Sequence, residues 1–269
     1  MRLPFQQDGV QLYMNVRSLR EAGMLDLLAG SKSAEETEYR GFVEATGFDY
    51  REDLDAVLGS FRDGRSAFVL RGRFDWEQIR RYCMAQGAKC VNGYCDMETK
   101  HPGRYVSLFM VHPRVLAIGF SVDTYLAYSM QQVRPLRAGF EFPPQPFWIS
   151  LSGSVLDKIE SFPPGARAFA SAAKGADRVT LGLGAAKDGL EAELRASFAA
   201  PAQAEGMKTQ MEASTAMLRR FFARDNQQPN PKDLSGILTS GTFQQRDRVA
   251  LGRWPIQWDF LRSVSEGKF

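Results

Sequence analysis

Cysteines are the residues of this chain best placed for covalent chemistry. Cys90 and Cys95 flank Asn92-Gly93, a dipeptide that favours a tight turn between two strands. If Val91 and Tyr94 form the hydrogen-bonded pair beside the turn, Cys90 and Cys95 become the next pair, with Cα atoms about 4.5 Å apart. A disulfide fits this position in an oxidising compartment. The sequence also leaves open two reduced cysteines beside a turn.

Other catalytic side chains are few. His101 and His112 each precede a proline and fit exposed turns. Cys83 falls in a predicted helix over 75–86 and fits a small buried side chain, and a metal site would need further histidines or cysteines in range. Ser121 follows a strand without the second glycine of a nucleophile elbow, so it is interpreted as a helix N-cap. We therefore assign no catalytic or metal-binding residue.

Two further segments look like binding motifs only in part. The run 182–187, Gly-Leu-Gly-Ala-Ala-Lys, leads into a hairpin, whereas a dinucleotide fingerprint opens a helix directly after its strand. The acidic run over 49–55 lacks the ligand spacing and the central glycine of a calcium loop. Helix capping and solvation explain these carboxylates, and no cofactor is predicted.

Tryptophans near the end of the chain suggest a contact surface. Trp254 and Trp258 are four residues apart, and a helix predicted over 255–265 would bring them to one face. Phe260 and Leu261 continue the apolar surface beside that face. If the second sheet leaves the face uncovered, Trp254 and Trp258 form a candidate surface for a protein partner.

Composition excludes several classes of protein. The 269 residues carry 34 Lys+Arg against 31 Asp+Glu, and 44% are hydrophobic, which is typical of a folded globular protein. No apolar run approaches the ~18 residues of a transmembrane helix, and the first four residues lack the apolar core of a signal peptide. Arginines cluster locally around Trp76, where we expect a solvated face. A nucleic-acid partner is not predicted, because the net charge is only +3.

The elements that must position these residues begin with a hairpin. Asp63-Gly64 predicts a two-residue type I′ turn, which pairs Val57 with Leu70 and Gly59 with Phe68. Asp75 then caps the helix over 75–86. A second hairpin at Asp188-Gly189 is predicted with a different set of apolar cross-strand pairs, which are Leu183 with Leu194, Leu181 with Ala196, and Val179 with Phe198.

Long helices and further hairpins follow. A helix from Pro201 to about residue 224 carries one apolar stripe that includes Met207, Met217 and Phe221. Strands over 105–111 and 114–120 precede a predicted helix over 122–133. Strands over 239–243 and 248–252 precede the predicted helix over 255–265. The first half carries an additional helix over 34–46.

Element order recurs along the chain, which predicts an α+β fold built by internal duplication. The order is strand, helix, hairpin, helix, hairpin, helix. The predicted domains are a first lobe over 8–137, a Pro-rich linker over 138–146 and a second lobe over 147–269. Each lobe is expected to be an antiparallel sheet with helices on one face.

One segment resembles a known group of proteins. Residues 44–55, Glu-Ala-Thr-Gly-Phe-Asp-Tyr-Arg-Glu-Asp-Leu-Asp, resemble a segment of uncharacterised bacterial exported or lipoprotein-like families. Residues 72–75 and the strand over 115–119 are similar as well, so the resemblance lies mainly within 44–120. It implies export with an N-terminal leader removed, and it carries over no site residues.

Two functions follow as hypotheses. The first is a non-enzymatic binding or scaffold module outside the cytoplasm, with a protein partner, because every motif identified above is structural. The alternative is an enzyme or small-ligand binder whose site lies between the two lobes and uses carboxylates or arginines rather than histidine.

Overall fold

The protein was analysed as a computed structural model, which describes residues 8–25, 37–132, 143–157, 173–224, 228–230 and 233–265. The chain divides into two compact units, Met1–Phe142 and Pro143–Phe269. Residues 138–142 of the predicted linker lie outside the described residues. Both units combine an antiparallel sheet with helices, so the fold is α+β. Within the described ranges, no helix is long and apolar enough to cross a membrane.

The N-terminal unit contains a seven-stranded antiparallel sheet in the order β1-β2-β3-β7-β6-β5-β4. Its strands are β1 (Val10–Met14), β2 (Leu54–Arg62), β3 (Arg65–Gly72), β4 (Lys89–Val91), β5 (Tyr94–Glu98), β6 (Tyr105–His112) and β7 (Val115–Ser121). The predicted pairs Val57 with Leu70 and Gly59 with Phe68 are confirmed. Asp63 and Gly64 both have positive φ, as a type I′ turn requires.

Helices of the N-terminal unit lie on both faces of its sheet. They are α1 (Val16–Glu21), α2 (Thr37–Thr46), α3 (Tyr50–Asp53), α4 (Trp76–Ala85) and α5 (Leu126–Ser129). Side chains of α4 pack with Leu108, whereas those of α5 pack with Phe109. Because consecutive strand residues point to opposite faces, the prediction of helices on one face is wrong. The predicted helix over 122–133 is also too long, since α5 and one 3₁₀ turn, Met130–Gln132, replace it.

The C-terminal unit contains a five-stranded antiparallel sheet in the order β11-β12-β10-β9-β8. Its strands are β8 (Phe147–Ser152), β9 (Arg178–Ala186), β10 (Gly189–Ser197), β11 (Thr242–Arg246) and β12 (Val249–Gln257). The predicted register of the β9–β10 hairpin is wrong by two residues, because Leu181 pairs with Leu194. The turn is at 187–188, and Gly189 begins β10, where an added Cβ would lie 2.0 Å from the Ile256 carbonyl oxygen.

Helices of the C-terminal unit are α6 (Gly153–Leu156), α7 (Pro201–Arg224), α8 (Leu234–Ser240) and α9 (Trp258–Ser265). The predicted bounds of α7 are confirmed, and its Met207 packs against the sheet core with Leu194 and Ala250. The predicted stripe is buried only in part, since Met217 and Phe221 are exposed. Helix α8 occupies part of the predicted strand over 239–243, so β11 begins only at residue 242.

Candidate functional site: an aromatic cleft in the N-terminal unit

A cleft of 560 Å³ opens in the N-terminal unit where the end of α2, the start of α4 and the β6–β7 turn meet. Its lining comes from segments far apart in the chain: Thr46, Gly47, Phe48, Asp53, Arg73, Phe74, Asp75, Trp76, Gln78, Met110 and Pro113. Volumes of this order hold small organic ligands or side chains of a partner. The cleft is therefore the candidate ligand site of the N-terminal unit.

Aromatic rings form part of the lining of the cleft. Phe48 and Phe74 stack with ring centroids 5.2 Å apart and an interplanar angle of 20°. Phe42 lies edge-on to Phe48 and to Tyr82 of α4, and these contacts hold α2 against α4. Trp76 packs with the core beneath α4. These contacts therefore hold the apolar, aromatic part of the lining in place.

An ion pair closes one side. Arg73 donates from Nε to Asp53 Oδ1 at 3.0 Å and from Nη2 to the Glu52 carbonyl at 3.1 Å. Asp53 Oδ2 also accepts from the Asp49 backbone N–H at 2.9 Å. The backbone at Asp53 approaches the end of β3 so closely that position 72 must be glycine, because a Cβ there would lie 2.4 Å from the Asp53 carbonyl oxygen. Both charges on this side are therefore already paired.

A helix cap also contributes to the lining. Asp75 caps α4 by accepting the Gln78 backbone N–H at 3.1 Å, and its second oxygen accepts the Gln78 side-chain amide at 2.9 Å. Both hydrogen bonds lower the pKa of Asp75, and the bond from the Gln78 side chain has the larger effect, so the carboxylate is ionised at neutral pH. Thr46 Oγ1 donates to the Phe42 carbonyl at 2.7 Å. The polar groups of the cleft thus mainly satisfy one another.

The chemistry available in the cleft is limited. Its described lining residues include no serine, cysteine, histidine or lysine. Two carboxylates and one guanidinium are present, but Asp53 pairs with Arg73 and Asp75 caps a helix. The arrangement can bind an apolar group against the rings more readily than it can activate a nucleophile.

The structure joins Cys90 and Cys95 through a disulfide, and these residues are directly opposite each other across the β4–β5 hairpin. Cys83 is a free thiol in α4 and belongs to the same buried cluster as Cys95. Burial raises the pKa of the Cys83 thiol, which disfavours the nucleophilic thiolate. Cys83 is therefore placed as a small core side chain.

The predicted shared face of Trp254 and Trp258 is wrong. Trp254 lies in β12 opposite Ala192 and contacts Phe243 edge-on, whereas Trp258 starts α9 and is 40% exposed. Pro255 lies within β12, beyond the part of the strand that β11 pairs with, so its missing N–H is tolerated there. Only Trp258 remains a candidate for partner contact.

Structural roles explain the other candidates. His101 and His112 are exposed. Ser121 Oγ accepts the Asp123 N–H in a turn that ends before α5, so it is not the N-cap of that helix. Asp55, from the acidic run, pairs with Arg114 at 2.9 Å and Arg17 at 3.2 Å. No group of three or more metal-ligating side chains occurs among the described residues.

Sequence reasoning did not identify the cleft. One local signal was the group of arginines around Trp76, for which the sequence predicts a solvated face. In the structure Arg80 and Arg81 lie within ion-pair distance of Glu77 on α4, and only Arg73 reaches the cleft. The glycine that ends α2, Gly47, followed by Phe48, was the second available signal.

Comparison with known proteins identifies the fold. No protein-family model matches the sequence, and no curated protein matches it. The chain is similar to solved structures of TP0453, a Treponema protein. Crystal form I has a TM-score of 0.51 at 15% identity, covering 98% of this chain and 96% of that chain. Crystal form III has a TM-score of 0.50 at 13% identity, covering 99% and 98%. At such identity the likeness concerns the fold alone.

Proposed function

We propose that this chain is a non-enzymatic binding module and that the aromatic cleft of the N-terminal unit is its ligand site. The observation that carries the proposal is the stacked pair Phe48 and Phe74 in the lining of a 560 Å³ cleft. Burying one aromatic group against such a surface contributes about 2 kcal/mol, which suits modest, reversible binding.

The ligand is expected to present an uncharged aromatic or aliphatic group. Asp53 and Arg73 neutralise each other, and Asp75 is held by Gln78, so a charged ligand would have to displace existing bonds. The Asp53 side chain is only 18% exposed, so the loss of its hydrogen bond to Arg73 would cost free energy, which disfavours such displacement. An apolar side chain of a partner protein meets the same requirement as a small apolar molecule.

The test uses N-acetylphenylalanine amide as probe and follows ring chemical shifts by NMR. We expect saturable binding that Phe74→Ala weakens by about tenfold, in line with the loss of one aromatic contact. Phe61→Ala is the matched control, because Phe61 is a half-buried phenylalanine of the same unit outside the cleft. Equal weakening by both variants, or no effect of Phe74→Ala, would contradict the proposal.

A second candidate function is a histidine-independent enzyme. Its support is that Asp53, Asp75 and Arg73 line one cleft. It predicts that Asp53→Asn and Asp75→Asn abolish turnover of a bound compound while leaving its affinity unchanged. The first proposal predicts no turnover in any variant, so the two hypotheses separate in one experiment.

We infer that the two units descend from one duplicated α+β unit. In the N-terminal unit, β1 pairs with β2 of the β2–β3 hairpin, β3 pairs with β7, and β7 pairs with β6. The C-terminal unit has the same order, because β8 pairs with β9 of the β9–β10 hairpin, β10 pairs with β12, and β12 pairs with β11. The β4–β5 hairpin is an addition to the N-terminal unit. Superposition of an experimental structure, unit on unit, tests this inference: strands that fail to align in this order would refute it.

We infer further that the protein works outside the cytoplasm. The Cys90–Cys95 disulfide supports this, since structural disulfides persist in oxidising compartments. A thiol count on denatured, unreduced protein from cells that make it naturally should return one free thiol, from Cys83. Three free thiols would refute the inference.

A further inference from the structure

Exposed aromatic side chains gather at the β4 edge of the N-terminal sheet. Tyr125 and Tyr128 of the α5 region are 64% and 43% exposed, and Val91 of β4 is 66% exposed. Tyr94 stacks on Tyr125 with centroids 5.7 Å apart and an interplanar angle of 16°. We call Val91, Tyr94, Tyr125 and Tyr128 the tyrosine surface. These four side chains form one contiguous exposed patch, whereas most proteins expose apolar side chains singly.

The tyrosine surface is held in place from three directions. Val91 and Tyr94 are opposite each other across the β4–β5 hairpin, which the disulfide closes. The Tyr94 hydroxyl donates to the Thr124 carbonyl. Phe109 is the cross-strand partner of Tyr94 and contacts Tyr128 edge-on at 5.1 Å. Rings fixed in this way lose little conformational freedom when a partner covers them.

Carboxylates flank the rings. Burial raises the pKa of Tyr94 above its usual range, and the negative charges of Asp96 and Asp123 add to this effect. Asp96 follows Tyr94 by two residues in β5 and so lies on the same face of the strand, and Asp123 Oδ1 accepts the Tyr125 backbone N–H at 2.9 Å, so both carboxylates lie beside the stacked pair. Lys89, the cross-strand partner of Asp96, is the positive group of the same hairpin face. These three side chains leave one net negative charge beside the rings.

We propose that the tyrosine surface binds an arginine-bearing segment of a partner protein. A guanidinium stacks on the face of a tyrosine ring and donates to carboxylates in the same plane, so stacked tyrosines beside aspartates match both of its properties. Charge complementarity favours this occupant over an acidic segment or a purely apolar one. The tyrosine surface lies on the Phe109 face of the sheet, opposite the face of Leu108 and α4, so it is independent of the cleft.

The probe is the peptide Ac-Gly-Arg-Gly-Arg-Gly-NH2, compared with its twin in which citrulline replaces both arginines. Citrulline keeps the shape of arginine without the charge. Binding to the full chain is followed by NMR through the tyrosine ring signals. We expect the arginine peptide to bind at least about threefold more tightly than its twin.

Four variants locate the interaction. Tyr125→Ala and Asp123→Asn should each weaken binding about threefold, and Lys89→Ala should strengthen it about twofold. Asparagine can still accept the bond that the Tyr125 N–H donates to Asp123 Oδ1, so only the charge is lost. Phe221→Ala, which removes an aromatic ring 52% exposed in the C-terminal unit, should change nothing.

Several results would overturn the proposal. Equal affinity for the two peptides would remove the role of charge, and full affinity in Tyr125→Ala would remove the role of the rings. Absence of binding at about 10 mM peptide would exclude the site. Dimerisation of the chain that Tyr125→Ala abolishes, measured by sedimentation, would make the surface an interface between copies instead.

Discussion

Reduction of the Cys90–Cys95 disulfide should destabilise the N-terminal unit by a calculable amount. The cysteines are five residues apart, and the loop-closure relation for a ring of that size gives about 2 kcal/mol at room temperature. Reduction is a cleaner perturbation than substitution, because Cys95 is fully buried and a serine there would add a buried hydroxyl. The effect is small because the bridged loop is short.

The assay is urea unfolding followed by ¹⁹F NMR of protein labelled with 5-fluorotryptophan. Trp76 is the one tryptophan before residue 142, and it packs against the cluster that contains Cys95. With a urea slope of about 2 kcal/mol per molar, the midpoint of the Trp76 signal should fall by about 1 M on reduction.

The control is the double variant Cys90→Ala/Cys95→Ala, in which reductant should leave the midpoint unchanged. Oxidised and reduced wild-type midpoints that agree within about 0.2 M would refute the loop-closure reasoning. So would an equal shift in the double variant, because the reductant would then act elsewhere.

Three further outcomes are expected. Burial raises the pKa of both Tyr39 and Tyr94, so absorbance at 295 nm should show these two phenols ionising at a higher pH than an ordinary tyrosine while the protein is folded. The stability they contribute is present below about pH 10 and falls as the pH rises further; normal titration of all eight tyrosines would contradict this. Trp254→Ala should cost about 3 kcal/mol and Trp258→Ala less than about 0.5 kcal/mol in urea unfolding, and equal costs would refute their different placement. Gly72→Ala should cost about 2–3 kcal/mol in the same assay, because its methyl carbon would lie 2.4 Å from a backbone carbonyl, and wild-type stability would contradict that geometry.

Turns were predictable where the turn residues alone decide the conformation. Asn92 and Asp63 both have positive φ and each precedes a glycine with positive φ, so local chemistry set the register of both hairpins. Asp188-Gly189 looks the same in sequence. There, however, the glycine is needed because the Ile256 carbonyl of β12 approaches it, and that contact is nearly 70 residues distant in sequence.

The prediction for Pro255 is wrong for a related reason. Pro255 after Trp254 looks like the start of a helix, since proline favours the first helical turn. In the structure Pro255 lies in β12, beyond Arg253, the last residue that pairs with β11. On the β11 side, no backbone hydrogen bond is therefore lost because proline has no N–H. Which strand neighbours a proline is a property of the sheet, so the local sequence could not decide between the two conformations.

The candidate site was beyond sequence analysis because each of its parts has a sufficient local explanation. Asp75 is a helix cap, Gly47 ends a helix, and Arg73 pairs with a carboxylate, and each of these roles is complete without a ligand. What makes them a site is that Met110 and the ring of Phe74 come together beside them, although they are far apart in the chain. Local roles already use the polar groups, so any affinity the cleft has must come from its rings. Phe74→Ala is therefore the variant that most directly tests whether the cleft binds anything.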